Sequence, residues 1–169
     1  AVMAIHWYPG HMHKAIREMT KILPDVDMVI ELLDARLPAS SQNPAIVTLR
    51  DNKPCIKILS KADLADPETT SRWQAHFEQD ASVKTLQTTL DLKGKPQSII
   101  RLCQSLVPSR VKANLNMLVM VAGIPNVGKS TLINALAGRK IAKTGNEPAI
   151  TKGQQRIKLG QGIMLLDTP

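Results

Sequence analysis

The stretch GIPNVGKST, residues 123–131, follows the apolar run MLVMVA (117–122) and precedes the helical pattern LINALAG (132–138). Two glycines separated by four residues, the second followed by Lys-Ser, form a phosphate-binding loop when they lie between a strand and a helix. Backbone N–H groups then face phosphate oxygens, Lys129 reaches the β and γ phosphates, and the Ser130 hydroxyl binds Mg²⁺. The predicted nucleotide contacts of this loop are Pro125, Asn126, Val127, Gly128, Lys129, Ser130 and Thr131.

On either side of this loop, short apolar runs alternate with helical patterns. Uninterrupted apolar runs are typical of strands buried on both faces, so the alternation predicts an α/β fold with a mainly parallel sheet and flanking helices. The other predicted strands are 28–33, 55–59, 83–87 and two within 154–169 that are joined across Gly160–Gly162. The predicted helices are 11–23, which ends at Pro24, 45–50, 68–79, 96–107 and 129–137.

The positive charge of the chain is concentrated after residue 100. Residues 1–100 carry 12 Lys and Arg against 12 Asp and Glu, whereas residues 101–169 carry 10 against 2. A bound nucleotide triphosphate accounts for part of this excess and an anionic partner such as RNA for the rest, with a solvated basic face as the alternative. We predict one domain with a neutral part at 1–107, a polar linker at 108–116 and a basic part at 117–169.

Composition excludes several classes of protein. A chain of 169 residues can bury a core without disulfides. The two cysteines, Cys55 and Cys103, match no zinc spacing and are predicted to be small core residues in a reducing compartment. No apolar run approaches the roughly 18 residues of a membrane span, and the start lacks the features of a signal peptide. We therefore expect a cytoplasmic protein without a membrane partner.

A second motif predicts which base is bound. Ser60-Lys61-Ala62-Asp63 follows the strand CIKIL (55–59) in the place and form of the Asn-Lys-x-Asp guanine motif. One carboxylate can accept both guanine donors, N1–H and the 2-amino group, so Asp63 fits that role while the stem of Lys61 lies along the base. Ser60 stands where the motif usually has asparagine. Its shorter side chain can lose a contact to the base or to the phosphate-binding loop, which puts the affinity for guanine nucleotides in question. Alone, the motif could instead cap the following helix.

After the strand at 83–87, Thr88, Thr89 and Leu90 are a loose match to the base-side Ser-Ala-Lys loop.

Two further pieces concern the γ phosphate and Mg²⁺. Asp167 closes the apolar strand GIMLLD (162–167) and begins Asp-Thr-Pro, similar to the Asp-x-x-Gly motif that reaches Mg²⁺ through water. Thr151, in PAITKG (148–153), stands between the phosphate-binding loop and Asp167, where GTPases keep the threonine that binds Mg²⁺ and the γ phosphate. The predicted metal ligands are therefore Ser130, Thr151 and Asp167.

The motifs stand in rotated order. In Ras-like proteins the phosphate-binding loop comes first and the guanine motif comes late. Here Ser60–Asp63 precedes the phosphate-binding loop, which precedes Thr151 and Asp167. Together with WYPGHM (7–12) and DARLPASSQNP (34–44), this order resembles the circularly permuted GTPases of bacterial ribosome assembly, in the subgroup that acts on the large subunit. The resemblance covers the whole chain.

That resemblance implies a circularly permuted Ras-like P-loop fold, bound GTP or GDP with Mg²⁺, and slow GTP hydrolysis. It implies a large-subunit precursor and rRNA as partners, no DNA, a monomer, and a helical C-terminal RNA-binding domain that is absent from this sequence. Asn126 would help to bind K⁺, unless it serves only turn geometry. His11 would position the attacking water, unless it caps the first helix. The predicted catalytic residues are His11, Lys129 and Thr151.

Two rival functions remain at this point. A kinase or ATPase with the same phosphate-binding loop would need no guanine motif, so Ser60–Asp63 argues against it. A binding module that holds GTP or GDP without turnover would share every motif named above. The glutamine that orients water in Ras would follow Asp-Thr-Pro-Gly, and the sequence ends at Pro169.

Overall fold

A computed structural model describes residues 10–89, 95–123, 128–141 and 155–168. The described strands are β1 (Met28–Asp34), β2 (Cys55–Ser60), β3 (Val83–Gln87), β4 (Met117–Gly123), β5 (Gln155–Gly160) and β6 (Ile163–Asp167). The described α-helices are α1 (Gly10–Ile22), α2 (Pro44–Leu49), α3 (Pro67–Phe77), α4 (Lys95–Leu106), α5 (Pro108–Lys112) and α6 (Lys129–Ala137). The strands form one sheet in the order β3-β2-β1-β4-β6-β5, all parallel except for β5, which confirms the predicted mainly parallel α/β sheet.

Local sequence explains where the helices begin and end. Asn43 and Asp66 cap α2 and α3, their side chains accepting hydrogen bonds from Ala45 N and Thr69 N, and a proline follows each cap. After α1, the predicted stop at Pro24 becomes a 3-10 turn over Leu23–Asp25. Helix α6 ends at Gly138, whose φ of 68° lies in the left-handed region that suits glycine.

The helices cover both faces of the sheet and change face part-way along the chain. Met19 of α1, Ile46 of α2 and Phe77 of α3 belong to the core on one face. Ile99 of α4 and Leu132 of α6 belong to the core on the other face. The chain therefore leaves β1 toward one face and leaves the neighbouring β4 toward the opposite face. In open α/β sheets, this switch point opens a crevice at the carboxyl ends of the strands.

The predicted linker contains a short helix, whereas the predicted hairpin at the end of the chain is present. Residues 108–112, within the predicted linker, form helix α5. Arg110 Nε lies 3.2 Å from Asp27 Oδ1, an ion pair that ties α5 to the residue before β1. The predicted turn between the last two strands is confirmed, since β5 and β6 pair antiparallel across Gly160–Gly162.

The cysteines lie in the two cores, as predicted. Cys55 and Cys103 are free and buried, and burial raises the pKa of each thiol to about 12. Within the described ranges, no helix combines the length and apolar character needed to cross a membrane.

Candidate functional site

The predicted site residues gather at the carboxyl edge of the sheet. β1 ends at Asp34, β2 at Ser60, β4 at Gly123 and β6 at Asp167, and all four strands are parallel. The segments that follow these strands therefore emerge on the same side. Gly128 lies beside β1, because a Cβ at this glycine would stand 4.0 Å from Leu32 Cδ2. Gly128, which immediately precedes α6, thus borders the crevice between β1 and β4.

The guanine motif forms a tight turn after β2. Ser60 is buried, and its Oγ donates to Leu33 O of β1 at 2.8 Å. Lys61 has a φ of 58°, and Ala62–Leu64 form a 3-10 turn that leaves Asp63 exposed. The cap of α3 is Asp66, whose carboxylate accepts from Thr69 N at 3.0 Å. The alternative that Asp63 merely caps this helix is therefore wrong.

An open pocket of about 400 Å³ lies beside Asp63. Its wall is formed by Ala62, Asp63, Gln87, Thr88, Thr89 and Lys95. Thr88 joins the two base-side loops through its backbone, since its N donates to Leu59 O at 2.9 Å and its O accepts from Ala62 N at 3.1 Å. The buried Thr88 Oγ1 has no hydrogen-bond partner among the described residues. Gln87 and Lys95 are additions to the predicted set, because neither falls within a recognisable motif.

On the phosphate side, Lys129 stands at the first position of α6 and contacts the end of β6. Its Nζ lies 2.9 Å from Asp167 Oδ1 and donates a hydrogen bond to Thr168 O. The side chains are 18% and 7% exposed. Apart from this ion pair, Asp167 Oδ1 accepts no hydrogen bond from the described residues. The structure thus brings together the predicted phosphate lysine and the predicted magnesium carboxylate.

The oxygen ligands among the described residues fit a magnesium ion. Ser130 lies in the first turn of α6 and Asp167 at the end of the parallel strand β6. A hydroxyl and a carboxylate are the hard oxygen ligands that Mg²⁺ takes in proteins, with water and phosphate oxygens filling the remaining positions. Beyond its ion pair with Lys129, Asp167 Oδ1 has no hydrogen-bond partner among the described residues, so it could join such a ligand shell when Lys129 contacts phosphate.

Several predicted residues fall outside what the structure describes. These are Leu90, Pro125, Asn126, Val127 and Thr151. For His11 the backbone alone is described, and it lies in the first turn of α1. Gly128, with a φ of 98°, immediately precedes α6, and Thr131 lies in its first turn and is exposed.

The segment after β1 forms an ordered loop next to the guanine motif. Asp34 accepts three hydrogen bonds from Arg36, from N at 2.9 Å, Nε at 3.0 Å and a terminal guanidinium nitrogen at 2.8 Å. These bonds outweigh burial and lower the pKa of Asp34 to about 2. Ser41 closes the loop, since Asp34 N donates to its Oγ at 3.0 Å and that Oγ donates to Leu37 O at 2.8 Å.

Comparisons with known proteins agree with this geometry. A family model described as a 50S ribosome-binding GTPase matches residues 118–169. Ribosome biogenesis GTPase A of Bacillus pumilus is 49% identical over 99% of this chain and 61% of its own length. The resemblance to the circularly permuted ribosome-assembly GTPases is confirmed. Mitochondrial ribosome-associated GTPase 1 of Mus musculus is 35% identical over 96% of this chain and 54% of its own length.

Solved structures confirm the fold. The crystal structure of GNP-bound YlqF from Thermotoga maritima aligns with a TM-score of 0.62 at 30% identity, covering 92% of this chain and 57% of that one. A GDP-bound YlqF structure gives a TM-score of 0.60, again covering 57% of that chain. The fold is the circularly permuted P-loop GTPase fold. The chain spans about three fifths of the length of its relatives from Bacillus, at 61%.

Proposed function

We propose that this chain binds GTP and GDP with Mg²⁺, hydrolyses GTP, and acts in assembly of the large ribosomal subunit. The observation that carries the proposal is the convergence of two motifs at one edge of the sheet. Asp63 lines an open pocket after β2. Lys129, at the start of α6, pairs with Asp167, at the end of β6. Relatives named ribosome biogenesis GTPase A support the cellular role.

In this proposal, Asp63 accepts hydrogen bonds from the two guanine donors. Its exposed carboxylate borders the pocket that Thr88 and Thr89 also line, so a base seated there meets an acceptor and backbone groups of the second loop. Lys61 lies along the base, and Leu90 completes the base-side loop. The Ser60 hydroxyl donates a hydrogen bond to the Leu33 carbonyl, so we propose that Ser60 stabilises the turn rather than contacting the base.

The phosphates and Mg²⁺ would occupy the crevice between β1 and β4. Lys129 pairs with the β and γ phosphates, while the residues 125–131 supply backbone N–H groups. Ser130 and Thr151 bind Mg²⁺, and Asp167 reaches it through water. When bound, the ion neutralises charge that develops on the phosphates. Lys129 then exchanges its Asp167 partner for phosphate oxygens, which frees the carboxylate for the metal shell.

Turnover needs a group that orients the attacking water, and we assign this role to His11. Imidazole can donate to or accept from water near neutral pH. The backbone position of His11 in the first turn of α1 places it near a helix start that a partner could order. Asn126 would bind K⁺ beside the phosphates, so replacing Na⁺ by K⁺ should raise turnover.

Ribosomal RNA is the partner that the charge supports best. We propose that the basic residues on either side of Thr151 contact RNA: Arg139, Lys140, Arg156 and Lys158 are exposed, and Lys143 and Lys152 lie outside the described ranges. Phosphate contacts of this kind weaken as salt rises. We propose that the protein works in the cytoplasm as a monomer and that the nucleotide state sets its affinity for the large-subunit precursor.

The decisive experiment is a change of base preference. Asp63→Asn should shift binding from guanosine toward xanthosine nucleotides, because the 2-oxo group of xanthine pairs with an amide. Titration of GDP, XDP and ADP against wild type and Asp63→Asn measures this shift. Unchanged GDP affinity in the variant removes Asp63 from the site.

Turnover is measured separately, with and without large-subunit precursors. His11→Ala should keep GTP affinity within about twofold yet lose stimulated turnover, the pattern of a group that acts in the transition state. GTP binding without turnover in wild type, even with precursors present, would instead favour a nucleotide-dependent binding module.

A further inference from the structure

The loop after β1 contacts the guanine motif directly. Lys61 Nζ lies 3.7 Å from Asp34 Oδ2, and the two side chains are 21% and 15% exposed. A backbone hydrogen bond runs alongside, from Ala35 N to Ser60 O at 2.8 Å. The loop that carries Asp34 therefore approaches the guanine motif through both the main chain and an ion pair.

Contacts within its own loop hold Asp34 in place, independently of Lys61. Three hydrogen bonds from Arg36 and one from Asp34 N to Ser41 fix the carboxylate and its backbone. Because these bonds favour the ionised form, the pKa of Asp34 stays near 2 and the carboxylate is charged at neutral pH. A fixed negative charge at the base of the crevice is thus available to Lys61.

A lysine side chain loses rotamer freedom when it is ordered, and this loss opposes binding. A partner that orders it in advance removes part of that cost from ligand binding. We infer that Asp34 is a positioning residue that holds the Lys61 side chain across the guanine site. The inference rests on the proposed function, since it assigns Lys61 to the base.

This role gives the segment DARLPASS, residues 34–41, a purpose that the nucleotide motifs leave unassigned. Asp34 supplies the charge, Arg36 orients it, and Ser41 closes the loop that presents it. Asp34 acts on the nucleotide through Lys61, so its removal should matter only while Lys61 is present.

A double-mutant cycle tests this dependence. Fluorescent GDP is titrated against the 169-residue chain as wild type, Asp34→Asn, Lys61→Met and the double variant, with folding checked by circular dichroism. Asp34→Asn should weaken GDP binding about fivefold, equivalent to about 1 kcal/mol. In the Lys61→Met background, the same change should alter affinity by less than about twofold.

A second carboxylate provides a matched control. Asp80 also has a pKa near 2 and also pairs with an arginine, Arg50, but it precedes β3 at the amino edge of the sheet. Asp80→Asn should leave GDP affinity within about twofold of wild type. If Asp34→Asn does not fold, Asp34→Glu takes its place in the cycle, because it keeps the charge and displaces it by one methylene.

Each outcome decides the inference. Unchanged GDP affinity in Asp34→Asn, or a loss that is equally large with and without Lys61, overturns the positioning role. A loss that disappears in the Lys61→Met background supports it. Failure of wild type to bind GDP overturns the proposed function itself and is separate from either result.

Discussion

Two lysine–carboxylate pairs, one between strands and one between α6 and β6, differ in their surroundings. Glu31 and Lys57 are register partners on β1 and β2, with Nζ and Oε1 2.5 Å apart and side chains only 1% and 6% exposed. Lys129 and Asp167 meet at the carboxyl edge, 2.9 Å apart, with 18% and 7% exposed. The first pair lies in mid-strand and the second borders the crevice.

The enclosed pair is packed against α2 and α3, whereas the edge pair contacts the end of β6 beside the crevice. Lys57 Nζ lies 5.2 Å from the centre of the Phe77 ring, and Glu31 Oε2 accepts from Asn43 N at 3.4 Å. Asp167 Oδ1, in contrast, has no partner among the described residues beyond its ion pair with Lys129. A charge pair closed off from solvent is a structural contact, whereas a pair beside a crevice can exchange partners with a ligand.

The largest expected effect comes from breaking the enclosed pair. Lys57→Met leaves the Glu31 charge buried and unpaired, so the free energy of unfolding should fall by about 3–5 kcal/mol. Urea denaturation measures this loss. Changing Glu31 to Leu in the same chain should restore most of it, because no buried charge remains. Lys84→Met, at an exposed position of β3, is the control and should change stability by less than about 0.5 kcal/mol. A similar loss in both lysine variants contradicts the distinction.

Breaking the edge pair should instead affect ligand binding. Lys129→Ala removes the proposed phosphate contact, so GTP affinity should fall by about 30- to 100-fold. The free energy of unfolding should fall by less than in Lys57→Met, because the edge pair is less completely enclosed and borders the crevice. Equilibrium titration with fluorescent GTP and urea denaturation provide the two values. Equal GTP binding by wild type and Lys129→Ala refutes the phosphate-site assignment.

A smaller effect on stability is expected from a third carboxylate, Asp34, which pairs with Arg36. Its pKa is about 2, below the ordinary 3.8, chiefly because of the Arg36 hydrogen bond, so ionised Asp34 favours the folded state. That contribution is present above about pH 4 and is lost as the pH falls toward 2. The melting temperature of wild type should exceed that of Asp34→Asn by roughly 2–4 °C at pH 6, and the difference should shrink below pH 4. A constant difference across this range argues against an ionised Asp34.

The smallest perturbation uses the two thiols as probes of the cores. Cys55 lies on the same face of β2 as Lys57, and Cys103 lies in the opposite core. Because burial raises the pKa of both thiols to about 12, iodoacetamide at pH 8 should label the native chain at least about a thousandfold more slowly than the denatured chain. Mass spectrometry reports each site. Rapid labelling of Cys55 alone would show that the core containing Lys57 opens independently.

Much of the fold could be predicted because its signals are local. The strand at 83–87 and the helix at 129–137 match their predicted bounds, and the other predicted helices end within two residues of the observed ones. Apolar runs and helical spacing are properties of neighbouring residues, so a single sequence contains them. Helix α5 was missed because its sequence, PSRVK, is short and polar.

Contacts between strands could not be predicted in the same way. Glu31 and Lys57 each place a charge within an otherwise apolar run, yet their pairing depends on the register of β1 against β2. The contact of Asp34 with Lys61 depends likewise on which strand ends lie side by side. The nucleotide motifs were recognisable because each is contiguous. Their assigned roles remain predictions, and Thr151, Asn126 and the His11 side chain lie outside the described residues.

The outermost described strands have a consequence for self-association. β3 and β5 flank the sheet, and unpaired N–H and C=O groups on such strands can template the addition of another chain. Lys84 on β3 and Arg156 and Lys158 on β5 are exposed, and the register of β5 shifts between Lys158 and Gly160. Like charges and an irregular edge disfavour edge-to-edge pairing of two copies. Alanine at Arg156 and Lys158 should therefore combine loss of the proposed RNA contact with aggregation, whereas glutamate should remove the proposed RNA contact and keep the edge charged.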